Sequence, residues 1–312
     1  MYMPVDTSMP ECEILHRYQN GNAEITIFED GTSVIETPED QDFLDLEYPL
    51  NIDVRVSTYC SFGKKKGKSS DTAVCSFCHE SASQDGVECD YEKLKEKLMK
   101  FPDGLELAVG CNELTAGLEQ FIKDVGSKFI VNLTINQGHI HRFADRVLKL
   151  VADRKVWGIG ISYRPSLEWK VPKEIVDYPN TILHCIVGID SVKDVLALRK
   201  KGVKKILLLG EKDFGFNEGK VDTKSKSHMD WRFALPIVLS KFPVVCFDNL
   251  ALEQLPVQKL ISPEDWAVLY QGEHSFYIDA VNGWYKRSSR VAPFVEWDAM
   301  SAPTYFKMEV KC

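Results

Sequence analysis

Seven short apolar runs recur through the middle of the chain: NIDVRVS (51–57), LELAVG (105–110), KFIVNLTI (128–135), VWGIGIS (156–162), TILHCIVGI (181–189), KKILLLG (204–210) and PVVCF (243–247). Between them lie DYEKLKEKLMKF, AGLEQFIKDVG, IHRFADRVLKLVADR, SVKDVLALRKKG and DWRFALPIVLSKF, whose apolar residues fall three and four apart. The short runs predict strands and the three–four spacing predicts amphipathic helices. Lys and Arg gather toward several helix ends, where the helix dipole favours them, and Gly202 suits a helix C-terminus.

Strand–helix alternation implies an α/β fold with a parallel sheet and right-handed crossovers. Six or seven such units predict a partial (β/α)6-type TIM barrel over residues 46–250. A doubly wound open sheet is the competing architecture, which periodicity alone leaves open. In either, the residues just after each strand carry function.

The flanks read differently. AEITIFEDGTSVIETP has two β-rich runs around Asp30-Gly31, a hairpin signal, so residues 1–45 predict a small N-terminal β extension. Beyond the barrel, WAVLY (266–270), SFYIDAV (275–281) and TYFKMEV (304–310) read as short aromatic strands. Residues 251–312 are expected to cap one end of the barrel or to extend its sheet.

The 312 residues are 44% hydrophobic and 27% charged, enough to bury a sizeable core. A net charge of -8 removes a whole-protein basic footprint for nucleic acid. No apolar stretch approaches a membrane span, and MYMPVDTSMPECEILHRYQN does not read as a signal peptide. A cytoplasmic location and no membrane partner are expected.

Most of the nine cysteines are isolated; Cys185 and Cys246 read as buried strand residues. Cys60, Cys75 and Cys78 share the segment TYCSFGKKKGKSSDTAVCSFCHE after the first run, spaced x14 and x2. Three thiolates suit a soft metal or an iron–sulfur cluster. A four-iron cube held by three cysteines keeps one iron open for a substrate or cofactor. Three rival readings stand beside this one. Cys75-Ser-Phe-Cys78-His79 matches a c-type haem attachment motif, which normally belongs to exported proteins. A structural zinc with His79 as fourth ligand is chemically sound and would make the chain a zinc-stabilised nucleic-acid or protein binding module. The three cysteines can also be unrelated structural residues.

With this motif the chain resembles the radical S-adenosylmethionine (SAM) superfamily over roughly residues 50–250. The usual spacing there is C-x3-C-x2-C; the long first gap here is shared by some members, certain 7-carboxy-7-deazaguanine synthases among them. The likeness is greatest to uncharacterised radical SAM proteins of phages and bacteria, through ILLLGEKDFG and FDNLALEQL. The resemblance implies a [4Fe-4S] cluster on Cys60, Cys75 and Cys78. It also implies reductive cleavage of SAM to a 5′-deoxyadenosyl radical, hydrogen abstraction from substrate, and a reducing partner such as flavodoxin or ferredoxin. Phe77 is then expected near the adenine. In LELAVGCNELT, residues Gly110, Cys111, Asn112 and Glu113 stand where the family has Gly-Gly-Glu against the SAM amino group, with Cys111 a departure from that pattern. Thr134, Asn136 and Ser162 end later strands where ribose and carboxylate contacts lie, Arg164 can pair with the SAM carboxylate, and Gly188 matches a backbone position near adenine. For Asn112-Glu113 the other reading is simple helix capping.

Substrate candidates after the later strands are Glu211, Lys212, Asp248 and Asn249, then Asp279 and Asn282, with His139 and His141 after the third strand. Lys64, Lys65, Lys66 and Lys68 are read as a solvated charge run or as a phosphate contact, the latter leaning toward a nucleotide or nucleobase substrate. Without a second tight cysteine group, sulfur insertion is disfavoured. Rearrangement and oxidation stay open.

Overall fold

The computed structural model describes residues 12–38, 44–263, 266, 274–290 and 293–310, with side chains to residue 308. Among them, no helix is long and apolar enough to cross a membrane. The N-terminal unit is a three-stranded antiparallel sheet of β1 (Ile14–Asn20), β2 (Ala23–Phe28) and β3 (Ser33–Glu36). The predicted hairpin joins β2 to β3, and its turn uses Gly31 at φ +86°. β1 was not expected, because ILHRYQN carries no clear alternation.

The seven predicted strands form one sheet: β4 (Asn51–Arg55), β6 (Glu106–Gly110), β7 (Ile130–Asn136), β8 (Gly158–Ser162), β9 (Thr181–Ile186), β10 (Lys205–Leu209) and β11 (Val244–Phe247). All are parallel, each paired with the next in chain order. On the far side of β4, β12 (Ser275–Asp279) adds in parallel, and β13 (Trp284–Lys286) and β14 (Val295–Glu296) follow antiparallel. SFYIDAV therefore extends the main sheet. Among the described residues no pairing joins β11 to β12. The fold is mixed α/β with a large, mostly parallel sheet.

The helices follow the sequence pattern. They are α1 (Tyr91–Leu98), α2 (Ala116–Val125), α3 (Gln137–Ala152), α4 (Lys173–Asp177), α5 (Val192–Ala197), α6 (Lys226–Lys241) and α7 (Asn249–Gln254). Side-chain caps start most of them: Asp90, Thr115, Asn136, Ser191, Ser225 and Asp248 each accept from a backbone N–H in the first turn. Gly202 ends the turn after α5 at φ +88°, as expected.

TYFKMEV, expected as a strand, lies in a helix, α8 (Ala302–Val310). Ala302, Tyr305 and Phe306 are buried at a three–four spacing, which is a helical stripe and not an alternation. Of WAVLY, residues 267–270 fall outside the described residues.

Strand alternation sorts the sheet into two faces. Ile52, Val54, Leu107, Val109, Leu133 and Ile161 are buried in one core with helix residues such as Leu98, Ile122, Val147 and Trp231. Each such side chain contributes about 1.5–3 kcal/mol of burial. The alternate positions are small or polar in β4, β6 and β8: Asp53, Arg55, Glu106, Ala108, Gly110, Gly158 and Gly160. They are mixed in β7 and β9, where Asn132, Thr134 and His184 share the row with Ile130, Ile182 and Ile186, while β10 adds Leu207 and Leu209. All line one cavity of about 990 Å³, to which every parallel strand contributes. The β1–β3 sheet lies at the N-terminal ends of the strands. There Ser33 Oγ donates to Glu106 (2.8 Å), Asn180 to the Glu29 carbonyl (2.5 Å) and Lys205 to that of Asp30 (2.9 Å).

Candidate functional site

The cysteines lie at the opposite, C-terminal end of the strands, and all three line the cavity. Cys60 is on a short strand, β5 (Tyr59–Lys64), and not in a loop. The chain then turns through Lys65–Lys68 and returns, with Val74 N–H donating to the Phe62 carbonyl (2.9 Å). Cys75 and Cys78 sit on a tight turn closed by Cys78 N–H to the Cys75 carbonyl (3.1 Å).

Two clamps hold these segments. The residues after β6 grip Cys60 from both sides: Asn112 Nδ2 donates to the Tyr59 carbonyl (3.1 Å), and the Glu113 carboxylate accepts from Ser61 N–H (3.0 Å). Thr115, not Asn112 or Glu113, caps α2. The Cys78 turn is held by Arg55, which pairs with the Glu80 carboxylate (2.5 Å), donates to the Glu80 carbonyl (2.9 Å) and pairs with Asp279 (3.0 Å). Phe216 N–H donates to the Cys78 carbonyl (3.0 Å). His79 Nε2 meets Glu80 at 2.9 Å and Lys212 Nζ at 3.4 Å.

Electrostatics follow from burial. It pushes the Cys60 thiol up to about 12; the Phe62 backbone N–H works against this, and charge on Cys78, Cys75 and Glu113 adds to it. The thiols thus feel one another, and a bound metal is what would ionise them. Glu80 is held down to about 2: burial alone would raise it, but the His79 hydrogen bond and the charges of His79 and Arg55 prevail. Glu113 is likewise lowered, with burial overcome by Ser61, His139 and Arg142.

The other expected site residues divide. Phe77, Gly110, Cys111, Asn112, Thr134, Asn136, Ser162 and Arg164 line the cavity; Glu113 and Gly188 do not. Gly110 faces open space, with nothing within 4 Å of where a Cβ would lie. The Arg164 guanidinium lies 4.8 Å from the Phe77 ring centroid, and its buried Nε has no hydrogen-bond partner. Gly160 leaves room for Thr134 and His184, which a Cβ would overlap at 2.4 and 2.9 Å. Burial lowers His184 to about 4, so its imidazole is neutral. Gly188, at φ +89°, admits His228 and Glu211.

Several substrate candidates have structural tasks. Asp248 caps α7, Asn282 donates to Asp279, which pairs with Arg55, and Glu211 accepts from Asn217. His139 is buried, stacked on Phe62 at 4.0 Å, and His141 is exposed. Arg55, Glu80, Asp53 and His184 were missed. Polar residues alternating with apolar ones in NIDVRVS and TILHCIVGI were the available signal.

Among the described residues no three His, Cys, Asp or Glu side chains converge as a ready site for a metal ion. The surroundings nevertheless fit the groups the cysteine pattern implies. Three soft donors share one cavity end, nothing lies within 4 Å of where a Gly110 Cβ would be, and Arg164, which also lines the cavity, has a buried Nε without a hydrogen-bond partner. No protein-family model matches the chain, and no curated protein is similar to it.

Proposed function

We propose that the chain is a radical SAM enzyme whose [4Fe-4S] cluster is held by Cys60, Cys75 and Cys78. One observation carries the reading: two separately clamped segments bring three cysteines to the C-terminal mouth of a single cavity, beside the open face of Gly110. When bound, cluster and SAM supply reductive cleavage of the sulfonium and a 5′-deoxyadenosyl radical that takes hydrogen from substrate. The chain's own part is to bind and orient. Phe77 and Arg164 frame the nucleoside and carboxylate side, and Gly110 with the neutral wall of Thr134, Gly160, Ser162 and His184 accepts a polar nucleoside without a charge to desolvate. Of the three cysteines, Cys60 is buried and Cys75 and Cys78 are partly exposed at the mouth.

A partial TIM-like barrel is the finer fold in this proposal. Eight parallel strands in cyclic order, with one unpaired seam, support it, as do the charged and polar side chains of Asp53, Arg55, Glu106, Asn132 and His184 on the face away from the helices. A doubly wound sheet is covered by helices on both faces and reads as apolar throughout.

The zinc reading is less well supported. The lack of a converged group among the described residues bears on zinc and cluster alike, and a zinc site would need Cys60, Cys75, Cys78 and His79 together as ligands. His79, its fourth ligand, is engaged by Glu80 and Lys212.

The test is formation of 5′-deoxyadenosine from SAM after anaerobic reconstitution with iron and sulfide and reduction by dithionite or a flavodoxin. Wild-type production that is lost in Cys75→Ala is expected. No production, with one zinc retained per chain, would overturn the proposal.

A further inference from the structure

We infer that the substrate carries a phosphate group, received by Lys212, Ser288 and Ser289; this rests on reading the cavity as the substrate site. Lys212 follows β10 and lines the cavity, as do Ser288 and Ser289 from the KRSSR segment after β13. Neither has another task in the site described above beyond the Lys212–His79 contact.

The hydrogen-bond inventory gives the ligand's chemistry. An ammonium has three donors and no acceptor. Lys212 Nζ spends one on Ser289 Oγ (3.2 Å); His79 Nε2, 3.4 Å away, is committed as a donor to Glu80, so two remain. Ser289 Oγ accepts there, so its O–H hydrogen is free to donate. Ser288 Oγ accepts from Arg290 N–H (3.2 Å), so its hydrogen is free as well. Four unspent donors, two of them on the Lys212 ammonium, border the same cavity. Their complement is a group with acceptors only and a negative charge. A phosphate monoester offers three free oxygens and more than one negative charge; a carboxylate offers two oxygens and one charge.

Among the described residues lining this wall, the neighbouring arginines already have carboxylate partners, and Lys212 does not. Arg55 is occupied by Glu80 and Asp279, and Arg290 by both oxygens of Glu253 (3.1 and 3.4 Å). Among the described residues no carboxylate lies within 4.0 Å of Lys212 Nζ; Glu80, Asp53 and Asp248 act on it at longer range, and burial raises the latter two toward their neutral forms. The exposed Lys65, Lys66 and Lys68 do not line the cavity, so the phosphate contact moves from that run to Lys212. An enclosed space of about 990 Å³ suits a nucleotide-sized small molecule together with SAM.

The probe is inorganic phosphate, titrated onto the full-length protein and followed by 31P NMR, with 13C-acetate as the carboxylate arm. Saturable phosphate binding is expected, weakened about tenfold or more in Lys212→Met, weakened less in Ser289→Ala, and recovered in Lys212→Arg. Thermal unfolding of each variant separates lost binding from lost fold. Non-saturable phosphate, or equal binding by a folded Lys212→Met, overturns the inference; tighter acetate than phosphate overturns the phosphate assignment. Phosphate binding in a protein that makes no 5′-deoxyadenosine would sink the radical reading alone, and the converse would sink this one alone.

Discussion

The Glu113 carboxylate accepts a 3.0 Å hydrogen bond from the backbone N–H of Ser61, the residue after Cys60. It comes from the loop after β6 and is balanced by Arg142 at 3.5 Å. A side chain from the loop after one strand thereby fixes the backbone that presents a cysteine on β5.

Removing that acceptor leaves the Ser61 N–H without its partner. Glu113→Ala is expected to cost about 1–3 kcal/mol and to lower iron bound per chain after reconstitution, with Glu113→Gln intermediate in both. Urea denaturation and iron assay read the two effects. Full iron loading of Glu113→Ala would show that Cys60 needs no such clamp.

Gly188 and Gly219 separate backbone strain from crowding. Both have positive φ, +89° and +71°. At Gly219 nothing lies within 4 Å of an added Cβ, whereas at Gly188 it would meet His228 at 2.2 Å and Glu211 at 2.7 Å. Gly219→Ala should cost about 1 kcal/mol from conformation alone, and Gly188→Ala clearly more, seen as a larger fall in thermal midpoint. Equal losses would mean that His228 gives way freely.

Asp190 links stability to pH. Burial raises its carboxyl to about 6, only partly offset by the Ile186 N–H, which it accepts at 2.6 Å. The folded state holds this proton more tightly than the unfolded chain does. The group's contribution is therefore full below the ordinary carboxylate value of 3.8 and is lost as pH rises through about 6. The change is about 3 kcal/mol. Denaturation at pH 4.5, 6 and 7.5 should show this slope in the wild type and a flatter one in Asp190→Asn. An unchanged slope would place the linkage on another group.

Arg164 bears on the cofactor. Its Nε is buried without a partner beside Phe77. Arg164→Met is expected to weaken SAM binding to the reconstituted protein about tenfold, with Arg164→Lys between, by equilibrium dialysis. Unchanged affinity would remove Arg164 from the SAM contacts.

Much of the sheet was legible because strand and helix periods differ: all seven central strands stand where the apolar runs predict them. The single-letter pattern did not tell which way the polar positions faced. Asp53, Arg55 and His184 look like interruptions in apolar runs, yet they belong to the row that lines the cavity. The clamps on the cysteines also escaped notice. Asn112–Tyr59, Glu113–Ser61, Arg55–Glu80 and His79–Lys212 join residues from distant segments, and no local spacing encodes them. The tail misled for the opposite reason, since its aromatic residues satisfy strand propensity and a helical stripe alike.

The strand leading to Cys60 has its partners at very different distances along the chain. On one side β4 meets β6 about fifty residues on. On the other it meets β12, where Arg55 and Asp279 are 224 residues apart. At translation rates of 5–20 residues per second, that edge waits roughly ten to forty seconds for its neighbour. During this interval the three thiols are already outside the ribosome while the Asp279 arm of the Arg55 clamp is still unmade. Cluster delivery to the nascent chain would meet a looser mouth than the finished protein presents.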